Sequence, residues 1–146
     1  MIYKADPSDL NAILELENEA FKDPWTYDNF IASLENDFIH LYKLIVADKI
    51  IGYVLFMLVF ERMEIFKIAI KKEFRRQAYA SELLNFIFDN FSFKDCNLEV
   101  RASNQAAIKL YQKLGFKVNR IRPKYYNDED AYEMIRSNNE NTCVRN

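Results

Sequence analysis

Residues 98–116, LEVRASNQAAIKLYQKLGF, decide the fold of this chain. They predict a short strand over residues 98–100 and then a helix whose start is marked by Ser103 and Asn104. Serine and asparagine favour this position because a side-chain oxygen accepts a free N–H group of the first helical turn. Gly115 predicts the end of the helix, where a left-handed residue is favoured. The expected order is therefore strand, cap, helix, glycine and strand.

Two ionisable side chains in this stretch form a candidate acid–base pair. Glu99 lies in the strand, and Tyr111 lies about two turns into the helix, on its apolar face. Both side chains reach a common cleft if the helix folds back along the sheet. A carboxylate and a phenol are a workable base and acid. In a simpler interpretation, Glu99 is a charged residue of an edge strand and Tyr111 is an aromatic residue of the core. The spacing alone favours this interpretation.

The same residues closely resemble the signature segment of the GNAT-superfamily acetyltransferases. Among these enzymes, the resemblance is to the bacterial type that acetylates the N-terminal alanine of a small-subunit ribosomal protein. It implies that Glu99 is the general base, that Asn104 contacts acetyl-coenzyme A and that Tyr111 is the general acid. It also implies an α/β (α+β) fold with a central mixed, mostly antiparallel sheet of about seven strands flanked by four helices.

Length and charge restrict the class of protein. With 146 residues, half of them apolar, the chain suits one domain, expected over residues 1–136. Residues 137–146 are polar and without periodicity, which predicts a flexible tail. The formal net charge of −2 argues against nucleic acid as a direct partner, because phosphate binding requires a basic excess.

Cysteine usage and hydropathy point to the cytoplasm. Cys96 and Cys143 lack the spacing of a zinc site and are too few for a secreted disulfide framework. His40 is the single histidine, so we expect no metal. The N-terminus lacks the apolar run of a signal peptide, and the longest apolar stretch, 50–60, is too short to span a bilayer.

The first half of the chain predicts two helices and a meander of strands. A strand over residues 2–4 precedes a helix from about residue 9 to 20, capped by Ser8, whose inward residues are Leu10, Ile13, Leu14 and Ala20. Thr26 caps a second helix with Tyr27, Phe30, Ile31 and Leu34 on one face. Three antiparallel strands follow over residues 39–47, 50–60 and 63–70, the first two joined by a turn at Asp48-Lys49.

The cofactor contacts come from the resemblance. The family holds the acetyl arm through backbone groups of the third of these strands, here at Ile68, Ala69 and Ile70, while the side chains of the strand fill the core. The next segment resembles the family's cofactor loop, Arg/Gln-x-x-Gly-x-Gly/Ala. It leads into a helix whose N-terminus suits a pyrophosphate. The corresponding residues are Arg75, Arg76, Gln77, Ala78, Tyr79, Ala80 and Ser81, of which the two arginines are equally typical of a solvated surface.

Ala78 departs from the family pattern, which has glycine at this position. If the residue adopts a right-handed conformation, its methyl group costs little. If it requires a positive φ, cofactor affinity should suffer, because only glycine adopts that conformation freely.

The acceptor contacts also come from the resemblance. A strand over residues 116–121, a loop over 122–129 and a last strand over 131–135 are expected to pair antiparallel at the far side of the sheet. In the family an RxxYY element in this loop and a PW element after the first helix border the peptide groove. They correspond to Tyr125 and Tyr126 and to Pro24 and Trp25. The acids at 128–130 attract a basic protein tail or, more simply, keep the loop in solution.

Three functions remain open at this point. The first is acetylation of a protein N-terminus, whose amine has an ordinary pKa of about 7.7–8.0 and is therefore partly neutral near pH 7. The second is acetylation of a lysine or a small-molecule amine, and the third is binding of acyl-coenzyme A without catalysis. The LEVRASN segment and the tyrosine pair favour the first, with direct attack of the amine on acetyl-coenzyme A. Ala78 keeps the third open.

Overall fold

The computed structural model describes residues 1–138. The chain forms two compact units. The first comprises residues 1–57 and 67–91, and the second comprises residues 58–66 and the chain from Ser92 onward. The predicted single domain over residues 1–136 stays a prediction. Most of the predicted polar tail, with Cys143, lies outside the described residues.

Seven strands and four α-helices make up the described chain. In chain order they are β1 (Ile2–Lys4), α1 (Leu10–Ala20), α2 (Tyr27–Leu34), β2 (Ile39–Val46), β3 (Lys49–Val59), β4 (Arg62–Ile70), α3 (Tyr79–Asn90), β5 (Asp95–Arg101), α4 (Gln105–Lys113), β6 (Lys117–Arg122) and β7 (Ala131–Ser137). The sheet order is β1-β2-β3-β4-β5-β7-β6. β4 and β5 pair parallel, whereas β1/β2, β2/β3, β5/β7 and β6/β7 pair antiparallel. The predicted mixed, mostly antiparallel sheet is confirmed.

The first helix begins differently from the prediction. Asp6, not Ser8, provides the cap: its Oδ1 accepts the Ser8 N–H at 2.8 Å and starts a 3-10 turn over Pro7–Asp9. α1 then starts at Leu10, and its buried residues are Leu10, Ile13, Leu16 and Glu17. The predicted inward residues Leu14 and Ala20 are only partly buried. Leu16 and the acidic Glu17 are therefore buried where Leu14 and Ala20 were expected to be.

Two tight turns join β2 to β3 and β3 to β4. Their central residues are Ala47-Asp48 and Phe60-Glu61, and all four have positive φ, between 49° and 71°. Two-residue turns of this conformation match the right-handed twist of the strands that they connect. The predicted turn at Asp48-Lys49 is therefore wrong by one residue, because Lys49 already belongs to β3.

In the second unit, β5 alternates as a half-buried strand does. Cys96, Leu98 and Val100 are buried, whereas Glu99 on the opposite face is partly exposed. Asn104 caps α4, its Oδ1 accepting the N–H of the third helical residue at 3.2 Å. Gly115 follows the helix with φ of 95°, as predicted.

β7 extends two residues beyond its predicted end, through Ser137. The N–H of Asn138 then donates to the carbonyl of Lys94 at 2.8 Å. None of the helices within residues 1–138 is long and apolar enough to cross a membrane. Within the same range no group of three or more His, Cys, Asp or Glu side chains is arranged to hold a metal ion.

Candidate active site

Glu99 lies near the C-terminal end of β5, and its two carboxylate oxygens differ in their surroundings. Oε1 accepts a hydrogen bond from Arg122 Nη1 at 2.8 Å. Oε2 is buried and has no hydrogen-bond partner among the described residues. The side chain as a whole is 12% exposed. Because a buried acceptor without a partner is uncommon in folded proteins, Oε2 is the atom at which a proton or a substrate donor fits.

The surroundings of Glu99 contain further carboxylates. Glu133 stands directly opposite it in the antiparallel register of β5 and β7, and forms an ion pair with Arg120 Nε at 3.2 Å. Burial raises the pKa of Glu64 in β4, and the charges of Glu99 and Glu133 raise it further, while Arg122 acts against them. The Arg122 and Arg120 guanidinium groups therefore offset part of the negative charge of these carboxylates.

Tyr111 is buried on α4, with 7% of its surface exposed. Its ring packs against Phe116, with ring centroids 5.8 Å apart. Burial raises the pKa of the Tyr111 phenol, and Tyr126 and Cys96 raise it further. Since a phenol already has an ordinary pKa of about 10, Tyr111 keeps its proton at neutral pH and is a hydrogen-bond or proton donor there.

Tyr126 interacts electrostatically with both members of the predicted acid–base pair. The Tyr126 phenol raises the pKa of Tyr111. The pKa of Tyr126 itself is raised to about 12, mainly by burial and further by Tyr125 and Glu99. Among the described residues, no hydrogen bond joins Glu99 to Tyr111 directly. Each of them therefore interacts electrostatically with Tyr126, an arrangement that no sequence pattern indicated.

Two arginines order the paired tyrosines. The rings of Tyr125 and Tyr126 meet edge to face, with centroids 5.0 Å apart. The Arg122 guanidinium lies 4.6 Å from the centroid of Tyr125, and that of Arg101 lies 4.3 Å from the centroid of Tyr126. Such cation–π contacts stabilise a ring orientation. Tyr125 remains 45% exposed and presents an aromatic wall to solvent.

The acids that follow the tyrosines hold the β6–β7 loop in place. Asp128 and Glu129 accept hydrogen bonds from Arg101 Nη1 at 2.9 Å and 3.2 Å. Glu129 also accepts the Ser103 N–H at 3.1 Å and the Ser103 hydroxyl at 3.0 Å, and these bonds hold its pKa below the ordinary range. The loop is thereby attached to the turn between β5 and α4. This is a different role from the solubility or long-range attraction expected of these acids from the sequence.

Asn104 lies in the turn that these acids hold. Its capping hydrogen bond uses only the side-chain oxygen, which accepts the Ala107 N–H. The amide NH₂ group remains available as a donor. The predicted contact between Asn104 and acetyl-coenzyme A is therefore compatible with its role as a cap.

In the first unit, the predicted acetyl-arm segment Ile68–Ile70 ends β4. Ala69 and Ile70 are buried, with 6% and 8% of their surfaces exposed. Gly52 of β3 allows a close approach here, because a Cβ at that position would lie 3.0 Å from the Ala69 carbonyl oxygen and 2.7 Å from Ile70 Cδ1. The Ile70 carbonyl accepts a hydrogen bond from Arg75 Nε at 2.8 Å. Arg75 thus holds the end of the strand, and its phosphate contact stays a prediction.

The predicted cofactor loop contains two residues in the left-handed conformation. Arg76 has φ of 64°, and Ala78 has φ of 66° and ψ of 11°. Ala78 is also the residue before the first turn of α3, where it makes no side-chain capping bond. The first amides of α3, over residues 79–81, therefore meet no side-chain cap, which fits the pyrophosphate of a coenzyme A. Ala78 therefore adopts the positive φ that was expected to weaken cofactor binding.

We expect Ala78→Gly to stabilise the protein and to strengthen binding of acetyl-coenzyme A. A non-glycine residue in the left-handed region costs roughly 1–2 kcal/mol, part of which glycine recovers despite its greater freedom in the unfolded chain. Urea denaturation and calorimetric titration measure the two effects. Ala80→Gly is the matched control, because Ala80 lies within α3, where glycine costs about 1 kcal/mol. Equal destabilisation by both substitutions would contradict the prediction.

The predicted acceptor residues Pro24 and Trp25 lie between α1 and α2. Pro24 is exposed and Trp25 is partly buried, with its ring edge to face against Phe30 at 5.3 Å. The Trp25 N–H donates to Glu17 Oε2 at 2.8 Å. Sequence reasoning missed Glu17. The available signal was its spacing, since Glu17 follows Leu10 and Ile13 at the i+7 and i+4 positions of the apolar face.

Comparison with known proteins gives one family. Residues 10–116 match the Acetyltransferase (GNAT) family. The chain is 34% identical over 145 residues to an uncharacterized N-acetyltransferase of Methanocaldococcus jannaschii, covering 93% of this chain and 90% of that protein. It is 30% identical over 135 residues to the [ribosomal protein bS18]-alanine N-acetyltransferase of Escherichia coli K12, covering 90% of each.

A solved structure agrees with these sequence matches. The crystal structure of the ribosomal-protein-S18-alanine N-acetyltransferase from Escherichia coli superposes with a TM-score of 0.88 at 30% identity. The alignment covers 94% of this chain and 92% of the other. The similarity therefore extends over most of both units.

Proposed function

Because the chain belongs to the GNAT acetyltransferase family, we propose that it acetylates the N-terminal α-amine of a protein, with the alanine of ribosomal protein bS18 as acceptor. The observation that carries this proposal is Glu99, whose Oε2 is buried without a hydrogen-bond partner among residues 1–138, in a chain 30% identical to a bS18-alanine acetyltransferase. The acceptor is then a protein in the cytoplasm. Nucleic acid and membrane take no part in its recognition.

Bound acetyl-coenzyme A supplies the acetyl group as a thioester. We assign its acetyl arm to the main chain of Ile68–Ile70, because preformed N–H groups stabilise the negative charge that develops on a carbonyl oxygen under attack. We assign its pyrophosphate to the loop over residues 75–81, where the first turn of α3 has no side-chain cap. Asn104 contributes its amide NH₂ group as a further donor.

Glu99 accepts the proton of the acceptor amine. Arg122 holds Oε1, so Oε2 is the accepting atom, and the carboxylate keeps one orientation. A weak base is sufficient for an N-terminal amine, because its ordinary pKa of about 7.7–8.0 leaves part of it neutral near pH 7. A lysine, with a pKa of about 10.4, would require a much stronger base.

Tyr111 provides the proton that the departing thiolate needs. Burial keeps the phenol protonated at neutral pH. Tyr125 and Tyr126, ordered by Arg122 and Arg101, form the aromatic wall against which the acceptor peptide lies. In the first unit, we assign Pro24 and Trp25 to acceptor binding.

Thiol release from acetyl-coenzyme A tests this function with three peptides. The first has the N-terminal sequence of bS18 with its free alanine, the second is the same peptide blocked at its N-terminus, and the third is a blocked peptide that contains lysine. We expect release with the first alone, and mass spectrometry should locate one acetyl group on the N-terminal residue.

Each of the other outcomes would indicate one of the alternative functions. Release with the lysine peptide would favour a lysine acetyltransferase, and release without any peptide would indicate hydrolysis. If calorimetry detects binding of acetyl-coenzyme A but no thiol is released, the protein binds the coenzyme without catalysing transfer. Any of these results would overturn the proposed acceptor.

A further inference from the structure

Glu17 is a fully buried glutamate that the mechanism above does not use. None of its surface is exposed, although it lies on the core-facing side of α1 among apolar residues. A buried carboxylate is costly unless donors surround it. Its contacts therefore need an explanation beyond packing.

Three donors from three different segments satisfy the Glu17 carboxylate. Trp25 donates its backbone N–H to Oε2 at 2.8 Å, and Lys67 Nζ lies 2.7 Å from the same oxygen. The hydroxyl of Tyr53 in β3 donates to Oε1. Tyr53 is fully buried and Lys67 is only 11% exposed, so the network is largely shielded from solvent.

Glu17 also closes the α1–α2 loop at both of its ends. Its backbone carbonyl accepts the N–H of Phe21 at 3.0 Å, where α1 stops, and its side chain accepts the N–H of Trp25, just before α2 begins. The intervening residues 22–24 are exposed. One residue thus fixes the start and the end of the segment that presents Pro24 and Trp25.

Lys67 connects this network to the aromatic rings of the loop. Its ammonium lies 4.3 Å from the ring centroid of Phe21 and 5.2 Å from that of Trp25. It is also the residue directly before Ile68–Ile70 in β4. The same cation therefore contacts the loop rings and the carboxylate that holds the loop backbone.

We propose that Glu17 is a positioning residue that holds the Pro24-Trp25 loop in the conformation that accepts the peptide. The proposal rests on the proposed function, in which this loop borders the acceptor. The proposal predicts that the hydrogen bond between the Glu17 carboxylate and the Trp25 N–H lowers the KM for peptide. It predicts little effect of this bond on the chemical step or on acetyl-coenzyme A binding.

Two double variants isolate that contact. Glu17→Met with Lys67→Met removes both charges together with the acceptor for Trp25, whereas Glu17→Gln with Lys67→Met removes the same charges and keeps an amide oxygen as acceptor. We expect the first to raise the peptide KM about tenfold or more with kcat and the Kd for acetyl-coenzyme A little changed, because a small misplacement of a binding group is costly. The second should stay near the wild type. Equal behaviour of the two variants would overturn the proposal.

Trp25 provides a readout that does not depend on activity. It is the single tryptophan of the chain, so intrinsic fluorescence reports on this loop alone. Acrylamide quenching should increase in the Met/Met variant and not in the Gln/Met variant. These spectra distinguish failure of the positioning role from failure of the proposed function, which would abolish peptide acetylation in the wild type as well.

A measurement on the unmodified protein applies even if the Met/Met variant does not fold. The Trp25 amide should exchange with solvent much more slowly than the amide of Asp23 in the same loop, because a buried carboxylate accepts its proton. Exchange of Trp25 at the rate of Asp23 would overturn the proposal.

Discussion

Replacement of Tyr111 by phenylalanine is expected to lower kcat about 100-fold or more, while the Kd for acetyl-coenzyme A changes little. The substitution removes one hydroxyl and keeps the ring that packs against Phe116. Burial raises the pKa of this phenol, so it holds its proton throughout the neutral range. The leaving thiolate then loses its proton donor, whereas the contacts that bind the coenzyme remain.

Single-turnover kinetics and calorimetry measure the two quantities separately. Tyr42→Phe is the matched control, because it removes a tyrosine hydroxyl from the aromatic cluster with Phe56, Phe86 and Phe91 and should leave kcat unchanged. Comparable losses in kcat and in coenzyme affinity would instead assign Tyr111 to binding or folding.

Glu99→Gln is the second substitution with a large expected effect. We expect kcat/KM to fall about tenfold at pH 7, because an amide oxygen does not take up the amine proton and only about a tenth of an N-terminal amine is then neutral. The deficit should shrink above pH 8, because an N-terminal amine with a pKa of about 7.7–8.0 then loses its proton to solvent. The measurement is a pH profile of kcat/KM for both proteins between pH 6 and pH 9.

Glu133→Gln separates base catalysis from the effect of negative charge. Glu133 faces Glu99 across the strand pair, so its substitution removes one charge from the same face and leaves the Glu99–Arg122 hydrogen bond in place. If the two variants lose the same activity with the same pH dependence, Glu99 acts through its charge and not as a base.

Local sequence signals predicted most of the elements because short-range physics determines them. Thr26 and Asn104 cap the helices that they were expected to cap, since each accepts an N–H group three residues ahead. Gly115 adopts the positive φ that its place after α4 requires. The first cap was wrong because Asp6, two residues before Ser8, has the stronger acceptor and starts a 3-10 turn.

Contacts between distant residues were not predictable in the same way. The pair Glu99–Arg122 spans 23 positions, and Glu17 reaches Tyr53 across 36. Periodicity gives the face on which a residue lies but not the residue that meets it from another element. The conformation of Ala78 was likewise open, because a tertiary fold imposes its positive φ against the preference of alanine.

The attachment of the β6–β7 loop to Ser103 has a consequence for how specificity changes between relatives. Glu129 connects the segment that carries Tyr126 to Ser103, in the turn that carries Asn104. In the proposed function Tyr126 borders the acceptor and Asn104 contacts acetyl-coenzyme A. We therefore expect a substitution that broadens acceptor choice by displacing Tyr126 to alter the affinity for the acetyl donor as well.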